Sequence, residues 1–502
     1  MSLLDVSGLT IRYGDETVVD GVDLYVDQGE SVGLVGESGS GKSQSALAIL
    51  GLLSRRAAVS GSVEFDGQQL VGAGEATLDG IRARRIGMVF QDPMQALNPY
   101  RRIGVQLRQI LLAHGLADKR NATARVMEML ARVGLPDPER QFRAWPHELS
   151  GGMRQRVMIA SALIAEPDLL IADEPTTALD VTVQAQILER LEDIRDDTAL
   201  LLITHDLGIV AGYCEHMIVL DQGRLVDQGP TTSLFASPGN PHTRRLIAAA
   251  PRVDRGATPA PVTGSTILSV DEAAVDYRDL RAVDEVSFSV RRGETVAVVG
   301  ESGSGKSSLV RAILGLVPLS SGRVVYAGEP LEGPVESRTL ERRREMQLVF
   351  QDPASALNPQ MRVEAIVGEP LLVHEPGLTS SARRERVIAI LGDVGIDKSY
   401  LRRFPHELSG GQAQRVAIAR ALVLNPALLI CDEAVAALDG SVREQVLELL
   451  RGVQEETGLS IVFISHDLAV VRSVSHRVLV MYMGRLVERA DGATLFSSPR
   501  HP

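Results

Sequence analysis

The chain has 502 residues, which is too long for a single hydrophobic core and predicts two or more domains. Its 64 acidic residues outnumber its 52 Lys and Arg residues, for a net charge of -12. This balance argues against a nucleic-acid-binding protein, which usually carries a basic patch. We find no signal-peptide pattern and no apolar run long enough to span a bilayer, so we expect a soluble protein. Cys214 and Cys431 fit no metal-ligand spacing and predict buried thiols in a reducing compartment.

In chain order, the first part alternates short β-like runs with turns, which predicts antiparallel strands. Within it, the apolar run Ser31–Val35 is followed by GESGSGKS at Gly36–Ser43 and then by the helix-compatible run QSALAIL. A strand, a glycine-rich loop and a helix in this order are typical of a phosphate-binding loop, in which backbone N–H groups and a helix N-terminus face phosphate oxygens. Lys42 should reach the β- and γ-phosphates, and the hydroxyl of Ser43 should ligate Mg²⁺.

Further along, the apolar spacing of Arg120–Leu135 predicts a helix. The runs LLIAD and LLITH are continuously apolar and end in polar residues, which predicts parallel strands buried on both faces with functional residues at their carboxyl ends. Asp173 and Glu174 lie at such an end. There an Asp can hold Mg²⁺, and the adjacent Glu can polarise an attacking water.

The octapeptide GESGSGKS occurs a second time at Gly300–Ser307, again after an apolar run, with a shift of 264 residues. Later landmarks recur at shifts near 260, which indicates a duplicated domain. The Pro- and Gly-rich stretch 251–266 predicts a linker, so we expect domains at about 1–250 and 267–502. The recurring pairs are Phe90–Pro99 with Phe350–Pro359, Pro146–Val157 with Pro405–Val416, Leu169–Asp180 with Leu428–Asp439, and Leu201–Leu207 with Val462–Leu468.

With these motifs the chain resembles two fused nucleotide-binding subunits of the ATP-binding cassette (ABC) transporter family, over nearly its whole length. The resemblance implies an α/β fold of two P-loop NTPase (RecA-like) ABC cassettes in tandem. Each cassette would have an antiparallel β subdomain and an α-helical subdomain. It also implies ATPase activity that uses ATP and Mg²⁺.

The resemblance assigns a role to each motif residue. Glu174 and Glu433 would be the catalytic bases, and His205 and His466 would be the switch histidines that contact the γ-phosphate. The implied Mg²⁺ ligands are Ser43, Gln91, Asp173, Ser307, Gln351 and Asp432. The implied ATP-binding residues are Tyr13, Gly36, Ser38, Gly39, Gly41, Lys42, Ser43, Gln91, Ser150, Gly151, Gly152, Tyr277, Gly300, Ser302, Gly303, Gly305, Lys306, Ser307, Gln351, Ser409, Gly410 and Gly411.

The signature segments and two tyrosines are the residues for which the resemblance implies contacts with ATP outside the phosphate loop. LSGGM at Leu149–Met153 and LSGGQ at Leu408–Gln412 match the ABC signature, which in the family closes over ATP held by the other domain. Each ATP site would therefore be composite. Tyr13 and Tyr277 each lie 23 residues before their octapeptide, where the family stacks an aromatic ring on adenine. The alternative for Tyr13 and Tyr277 is that each is an ordinary tyrosine on an edge strand.

The second copy departs from the first after the catalytic glutamate. Ala434 and Ala436 stand where the first copy has Pro175 and Thr177, although Asp439 is kept. We expect this change to alter the rigidity of the loop more than its chemistry. Ala413 also replaces Arg154 after the signature. No catalytic residue is missing from either copy, and whether the two sites are equally active stays open.

Three classes of ABC protein fit these motifs: the ATPase of a membrane transporter, a soluble translation factor with two cassettes, and a DNA-repair or chromosome-structuring ATPase. Soluble tandem translation factors that act on ribosomes usually carry a long charged linker, whereas here it is short and Pro-rich. DNA-repair and chromosome-structuring ATPases would need zinc-binding cysteines or coiled coils, and the sequence has neither. FQDP…ALNP, the PHELSGG segments and Asn240–Pro251 resemble the dipeptide, oligopeptide and nickel importer subfamily.

That subfamily resemblance implies an ATPase on the cytoplasmic face of the cell (inner) membrane. Its partners would be two transmembrane permease subunits and, through them, a substrate-binding protein, with no nucleic acid. Some relatives carry an iron–sulfur cluster beyond the segment that Asn240–Pro251 resembles. Because no cysteine lies near that segment, we expect no cluster here. The translation factor remains the alternative.

Overall fold

The computed structural model describes residues 2–37, 39–91, 96–176, 181–194, 197–249, 259, 262–278, 280–435, 438 and 440–501. The chain divides into two compact units, residues 1–250 and 251–502. Most of the expected linker 251–266 lies outside the described residues, as do Ser38, Thr177, Ala436 and Asp439. At the end of that linker, Thr266 already belongs to the first strand of the second unit.

The described strands of the first unit form two sheets. One is antiparallel with the order β2-β1-β4-β5, and the other has the order β10-β9-β3-β8-β7-β6. In the second sheet β6, β7, β8, β3 and β9 run parallel, and β10 pairs antiparallel with β9. The strands are β1 Ser2–Tyr13, β2 Glu16–Asp27, β3 Ser31–Val35, β4 Ala57–Phe65, β5 Gln68–Gln69, β6 Ile86–Val89, β7 Leu169–Asp173, β8 Ala199–Thr204, β9 His216–Asp221 and β10 Arg224–Pro230.

Helices cover the parallel sheet of the first unit and also form a separate helical segment between β6 and β7. The helix predicted over Arg120–Leu135 is present as Lys119–Arg132, and Asp118 caps it by accepting from the N–H groups of Arg120 and Asn121. The α-helices are Lys42–Ile49, Glu75–Ile81, Ile103–Ala113, Lys119–Arg132, Pro138–Arg143, Gly151–Leu163, Val181–Ile194, Leu207–Tyr213, Thr231–Ala236 and Pro241–Ala249, with a 3₁₀ turn at Pro146–Glu148.

The second unit repeats this plan, with sheets in the order β12-β11-β14-β15 and β16-β17-β18-β13-β19-β20. Its strands are β11 Thr266–Tyr277, β12 Leu280–Arg291, β13 Thr295–Val299, β14 Ser321–Tyr326, β15 Glu329–Pro330, β16 Met346–Val349, β17 Leu428–Asp432, β18 Ser460–Ile464, β19 Arg477–Tyr482 and β20 Arg485–Asp491. Its α-helices are Lys306–Ile313, Leu340–Glu345, Pro353–Ala356, Val363–His374, Ser380–Asp393, Gly410–Leu422, Gly440–Thr457, Leu468–Val474 and Gly492–Ser497. Its 3₁₀ turns are Val335–Ser337, Lys398–Arg402 and Pro405–Glu407.

Burial of the central strands on both faces explains why their sequences are continuously apolar. Every residue of β3, β7 and β8 is buried, and the same is true of β13, β17 and β18. Strands of a parallel sheet are covered by helices on both faces, so they do not alternate between apolar and polar residues. The expected α/β fold with antiparallel, parallel and helical parts is confirmed. In such a fold, functional residues are expected at the carboxyl ends of the parallel strands.

We find no helix among the described residues that combines the length and the apolar character needed to cross a lipid bilayer.

The position of Cys431 gives the first prediction. Its thiol lies in β17 with 1% of its surface exposed, and burial, followed by the nearby Asp432, raises its pKa to about 12. Because the thiolate is the reactive form, iodoacetamide at pH 8 should modify Cys431 about a hundredfold more slowly in the folded chain than in the chain unfolded in guanidinium. Mass spectrometry of the Cys431 peptide measures both rates, and equal rates would contradict the buried position.

Candidate active site

The glycine-rich loop of each unit closes around its own lysine. Lys42 Nζ donates to the carbonyl oxygens of Gly36 and Glu37 at 2.8 and 2.9 Å. Lys306 makes the equivalent bonds to Gly300 and Glu301 at 2.7 and 2.8 Å. The helix that follows begins at the lysine in both units, after a glycine in the left-handed region. This arrangement places an ammonium group and a helix N-terminus in one loop, as the sequence predicts for a phosphate site.

Glycine is required at the first position of the loop because the neighbouring strand comes close. A Cβ on Gly36 would lie 2.3 Å from the carbonyl oxygen of Leu220, and one on Gly300 would lie 2.1 Å from that of Met481. Their φ angles, +157° and +149°, are also ones that L side chains rarely adopt. The loop is therefore wedged against the end of β9 in the first unit and of β19 in the second.

A serine hydroxyl and an aspartate carboxylate meet beside the loop. Ser43 Oγ donates to Asp173 Oδ1 at 3.0 Å, and Ser307 Oγ donates to Asp432 Oδ1 at 3.2 Å. Burial raises the pKa of both aspartates, and the serine hydrogen bond acts in the opposite direction. The contact joins the first turn of the loop helix to the end of a central strand.

Both predicted catalytic glutamates have a left-handed backbone, with φ +47° at Glu174 and +50° at Glu433. This conformation is uncommon for a residue with a Cβ, although Glu166, Glu272 and Glu285 also adopt it outside the site. The N–H of Glu174 donates to the carbonyl of Ile203 at 2.8 Å, so Glu174 continues the β7–β8 ladder before the chain turns away. The glutamate thus lies directly beyond the buried strand end, beside Asp173.

Two further predicted residues contact the glutamate of each unit. Gln91 Nε2 donates to Glu174 Oε2 at 2.7 Å, and His205 Nδ1 lies 3.1 Å from Glu174 Oε1. In the second unit Gln351 Nε2 donates to Glu433 Oε2 at 2.7 Å, while His466 Nδ1 lies 3.5 Å from Glu433 Oε1. The structure therefore brings the predicted glutamine, glutamate and histidine together in both units. The sequence had not indicated the glutamine–glutamate bond.

The signature segments lie at the start of another helix. Ser150 and Ser409 cap the helices Gly151–Leu163 and Gly410–Leu422, each accepting at 3.3 Å from the N–H three residues later. In the second unit Gln412 also accepts from Ser409 N at 3.0 Å and completes a capping box, which Met153 does not do in the first. In the described part of the chain, no hydrogen bond links Ser150 or Ser409 to the phosphate loop of its own unit.

The predicted adenine platforms differ between the units. Tyr13 ends β1, and its hydroxyl donates to Gln44 Oε1 on the loop helix at 2.7 Å. Tyr277 ends β11 and is 40% exposed, and Ser308 stands where the first unit has Gln44. Sequence reasoning missed Gln44. The signal that could have found it is its position directly after Ser43, on the same loop helix.

Each unit thus carries a loop for phosphate, a hydroxyl–carboxylate pair and a strand-end glutamate held by glutamine and histidine. These groups define a P-loop nucleotide-binding ATPase. The profile of the ABC transporter family matches residues 19–177 and 283–436.

Proteins with similar sequences extend over the whole chain. The peptidoglycan transport ATP-binding protein YejF of Agrobacterium fabrum is 42% identical, covering 99% of this chain and 94% of its own length. The glutathione import ATP-binding protein GsiA of Pectobacterium atrosepticum is 40% identical, covering 100% and 88%. The oligopeptide transport ATP-binding protein OppD of Mycobacterium bovis is 38% identical, covering 99% and 96%. The chain belongs to the ABC transporter family and is an ATPase of that family.

The buried aspartate predicts a trade-off between stability and activity. Because the pKa of Asp173 is raised in the folded chain, its ionisation favours unfolding, and stability falls as the pH rises through the folded-state pKa. Asp173→Asn removes that charge and should raise the melting temperature of the nucleotide-free chain at pH 7, while it lowers ATPase activity. The gain in melting temperature should shrink as the pH falls toward roughly 4, the ordinary range of Asp.

Ser43→Ala is the matched variant. It removes the hydrogen bond that opposes the effect of burial on Asp173, so it should lower the melting temperature at pH 7. Thermal unfolding followed by circular dichroism measures both variants. A lower melting temperature for Asp173→Asn at pH 7 would contradict the effect assigned to the buried charge.

Proposed function

We propose that this chain is the ATP-hydrolysing subunit of an importer for peptides or related small solutes. The observation that carries the proposal is similarity over nearly the whole chain to ATP-binding proteins named for peptidoglycan, glutathione and oligopeptides. All three cargoes contain amino acids joined by amide bonds. Nickel, the other cargo considered from the sequence, appears in none of these names.

For the chemistry, we propose that the loop lysine and the helix N-terminus hold the phosphates of ATP in both units. Glu174 and Glu433 would accept a proton from the attacking water, and His205 and His466 would orient the γ-phosphate. The contacts from Gln91 and His205 support this role for Glu174, because a carboxylate held from both oxygens is fixed in orientation. The same argument applies to Glu433 with Gln351 and His466.

The residues beside each loop also fit Mg²⁺. Hydroxyl, carboxylate and amide oxygens are the hard ligands that this ion prefers, and Ser43 and Asp173 already lie within 3.0 Å of each other. Gln91 bonds Glu174 through its nitrogen, which leaves its amide oxygen for a metal. We propose Ser43, Asp173 and Gln91 as the ligands of the first unit and Ser307, Asp432 and Gln351 as those of the second. When bound, Mg²⁺ would neutralise charge on the phosphates.

From the family resemblance, we further propose that each ATP site is completed by the signature segment of the other unit. The residues concerned are Ser150–Gly152 and Ser409–Gly411. Their helix-capping position supports anion binding, because the N–H groups of a first helical turn lack partners within the helix. Tyr13 and Tyr277 would stack on adenine, which by analogy with base stacking contributes roughly 1–3 kcal/mol.

The proposed partners are two transmembrane permeases and, through them, a substrate-binding protein, with the chain on the cytoplasmic face of the inner membrane. ATP-driven closure would pass to the permeases through the Gln91 and Gln351 segments and the helices that follow them, as a shift between open and closed states. A surface cavity of about 400 Å³ in the second unit is lined by residues that include Phe350, which directly precedes Gln351, and Val373. In the first unit a cavity of about 320 Å³ includes Asn98 and Gln106.

Replacing both glutamates tests the catalytic assignment. Glu174→Gln combined with Glu433→Gln removes the proposed bases but keeps the side-chain volume, so the chain should bind ATP and hydrolyse it at least about a hundredfold more slowly. The measurement is phosphate release together with nucleotide retained after gel filtration. Asp173→Asn with Asp432→Asn serves as a comparison that removes proposed metal ligands instead. Full turnover by the double Gln variant would overturn the assignment.

Uptake tests the transport proposal. Cells that lack the chain should take up an isotope-labelled tripeptide more slowly than the parent strain, because no other subunit would supply ATP hydrolysis. The unmodified chain should restore uptake, and the variant with both Glu→Gln changes should not. Unchanged uptake of tripeptide, glutathione and a peptidoglycan fragment would contradict peptide import.

Purification from cells that express a tagged copy of the chain identifies its partners. After a high-salt wash, the tagged chain should purify from the membrane fraction together with two multi-span membrane proteins. Ribosomal proteins in their place would favour the translation-factor alternative and overturn the importer proposal.

A further inference from the structure

The loop after the catalytic glutamate is held by different contacts in the two units. In the first unit, the buried Gln155 of the signature helix Gly151–Leu163 donates through Nε2 to the carbonyl of Pro175. In the second unit the equivalent Gln414 donates instead to the carbonyl of Phe350 at 3.4 Å. Its buried Oε1 has no hydrogen-bond partner among the described residues. The signature helix is thus bonded to Pro175, in the loop after Glu174, in the first unit. In the second unit it is bonded to Phe350, which directly precedes Gln351.

In the second unit the glutamate loop is held by an arginine. Arg443, on the helix Gly440–Thr457, donates through Nη2 to the carbonyl of Leu438 at 3.3 Å. Its Nη1 lies 2.5 Å from Asp467 Oδ2. Only 13% of the arginine side chain is exposed, so solvent screens this ion pair less than a surface pair.

Asp467 connects this arginine to the switch histidine. It directly follows His466, and its Oδ1 accepts from the N–H groups of Ala469 and Val470 at 3.0 and 3.1 Å, which caps the helix Leu468–Val474. Arg443 therefore joins the loop that follows Glu433 to the helix that begins after His466. A planar guanidinium with two fixed bonds sets both distance and orientation between these segments.

The first unit has a different residue at the position of this arginine. Gln184 stands where the second unit has Arg443, and within the described ranges no hydrogen bond or ion pair joins Gln184 to Asp206. Asp206 still caps its helix, by accepting from Gly208 N at 2.8 Å. His205 lies closer to its glutamate, at 3.1 Å, than His466 does, at 3.5 Å.

We propose that Arg443 is a positioning residue of the second ATP site, which holds the Glu433 loop and the His466 segment in register for water attack. Because Gln184 replaces this arginine in the first unit, the two sites would hydrolyse ATP by the same chemistry but depend on different contacts for their geometry. This inference rests on the ATP hydrolysis in the proposed function and is independent of the cargo.

Arg443→Gln, which installs the residue of the first unit, tests the role in the purified full-length chain. The kcat for ATP should fall by about tenfold while KM changes less than about twofold, since misplacing catalytic groups costs rate rather than binding. Arg443→Lys should recover part of the loss, because an ammonium still pairs with Asp467 but lacks the fork to Leu438. Gln184→Ala is the matched control and should keep the wild-type kcat.

Single-turnover hydrolysis of radiolabelled ATP assigns the effect to a site. Arg443→Gln should slow hydrolysis more in a Glu174→Gln chain, where Glu433 remains, than in a Glu433→Gln chain. Asp467→Asn should also lower kcat, and adding it to Arg443→Gln should slow hydrolysis no further, because Arg443→Gln already removes the ion pair that Asp467→Asn breaks.

The outcomes separate the two levels of inference. If the unmodified chain does not hydrolyse ATP, the proposed function fails. If it does and Arg443→Gln matches it, or raises KM without lowering kcat, the positioning role alone is overturned. Equal losses in both single-glutamine backgrounds would overturn the assignment to the second site. Melting curves of each variant show whether a loss of kcat reflects unfolding. If Arg443→Gln is unfolded, the kcat of Arg443→Lys is compared with that of the unmodified chain instead.

Discussion

The hydrogen bond between the loop serine and the strand-end aspartate is the contact on which each site depends. Ser43 begins a helix and Asp173 ends a central strand, and their bond joins parts of the chain 130 residues apart. It fixes the loop relative to the sheet, and the sheet in turn fixes Glu174 one residue beyond Asp173. The bond offsets part of the cost of burying a carboxylate, whose pKa stays raised nonetheless. The proposed Mg²⁺ ligation would explain why a buried charge that lowers stability is present at this point.

The same arrangement explains the strained backbone of the two glutamates. A strand end buried on both faces can present a side chain to the phosphate loop only where the chain leaves the sheet. At Glu174 and Glu433 it leaves through the left-handed region, which costs energy for a residue with a Cβ. Bonds to each glutamate from a glutamine and a contact from a histidine hold it there. The identical conformation in both units indicates that the sheet edge imposes it.

Local patterns in the sequence were enough to predict the fold and to name most residues of the candidate site. An octapeptide between a strand and a helix, and acids at the ends of apolar runs, predict a local geometry, and their recurrence in a second copy strengthens that prediction. The contacts that the sequence did not indicate join side chains from separate elements, such as Gln91 with Glu174, Tyr13 with Gln44 and Arg443 with Asp467. Each depends on how far one element is rotated against another. No spacing along the chain encodes that rotation.

The two units have the same candidate catalytic residues and differ in the residues that surround them. Lysine, serine, aspartate, glutamate, histidine and glutamine recur in both with distances that agree within about half an ångström, so the intrinsic chemistry should be the same. Among the residues that the structure describes, the supporting contacts differ: an amide bonds the loop after Glu174 in the first unit, and a guanidinium bonds the loop after Glu433 in the second. Both supports are mostly buried, since Gln155 is 2% exposed and the Arg443 side chain 13% exposed. On the proposed function, the two sites would therefore share one chemistry and differ in the side chains that hold the loop after the glutamate.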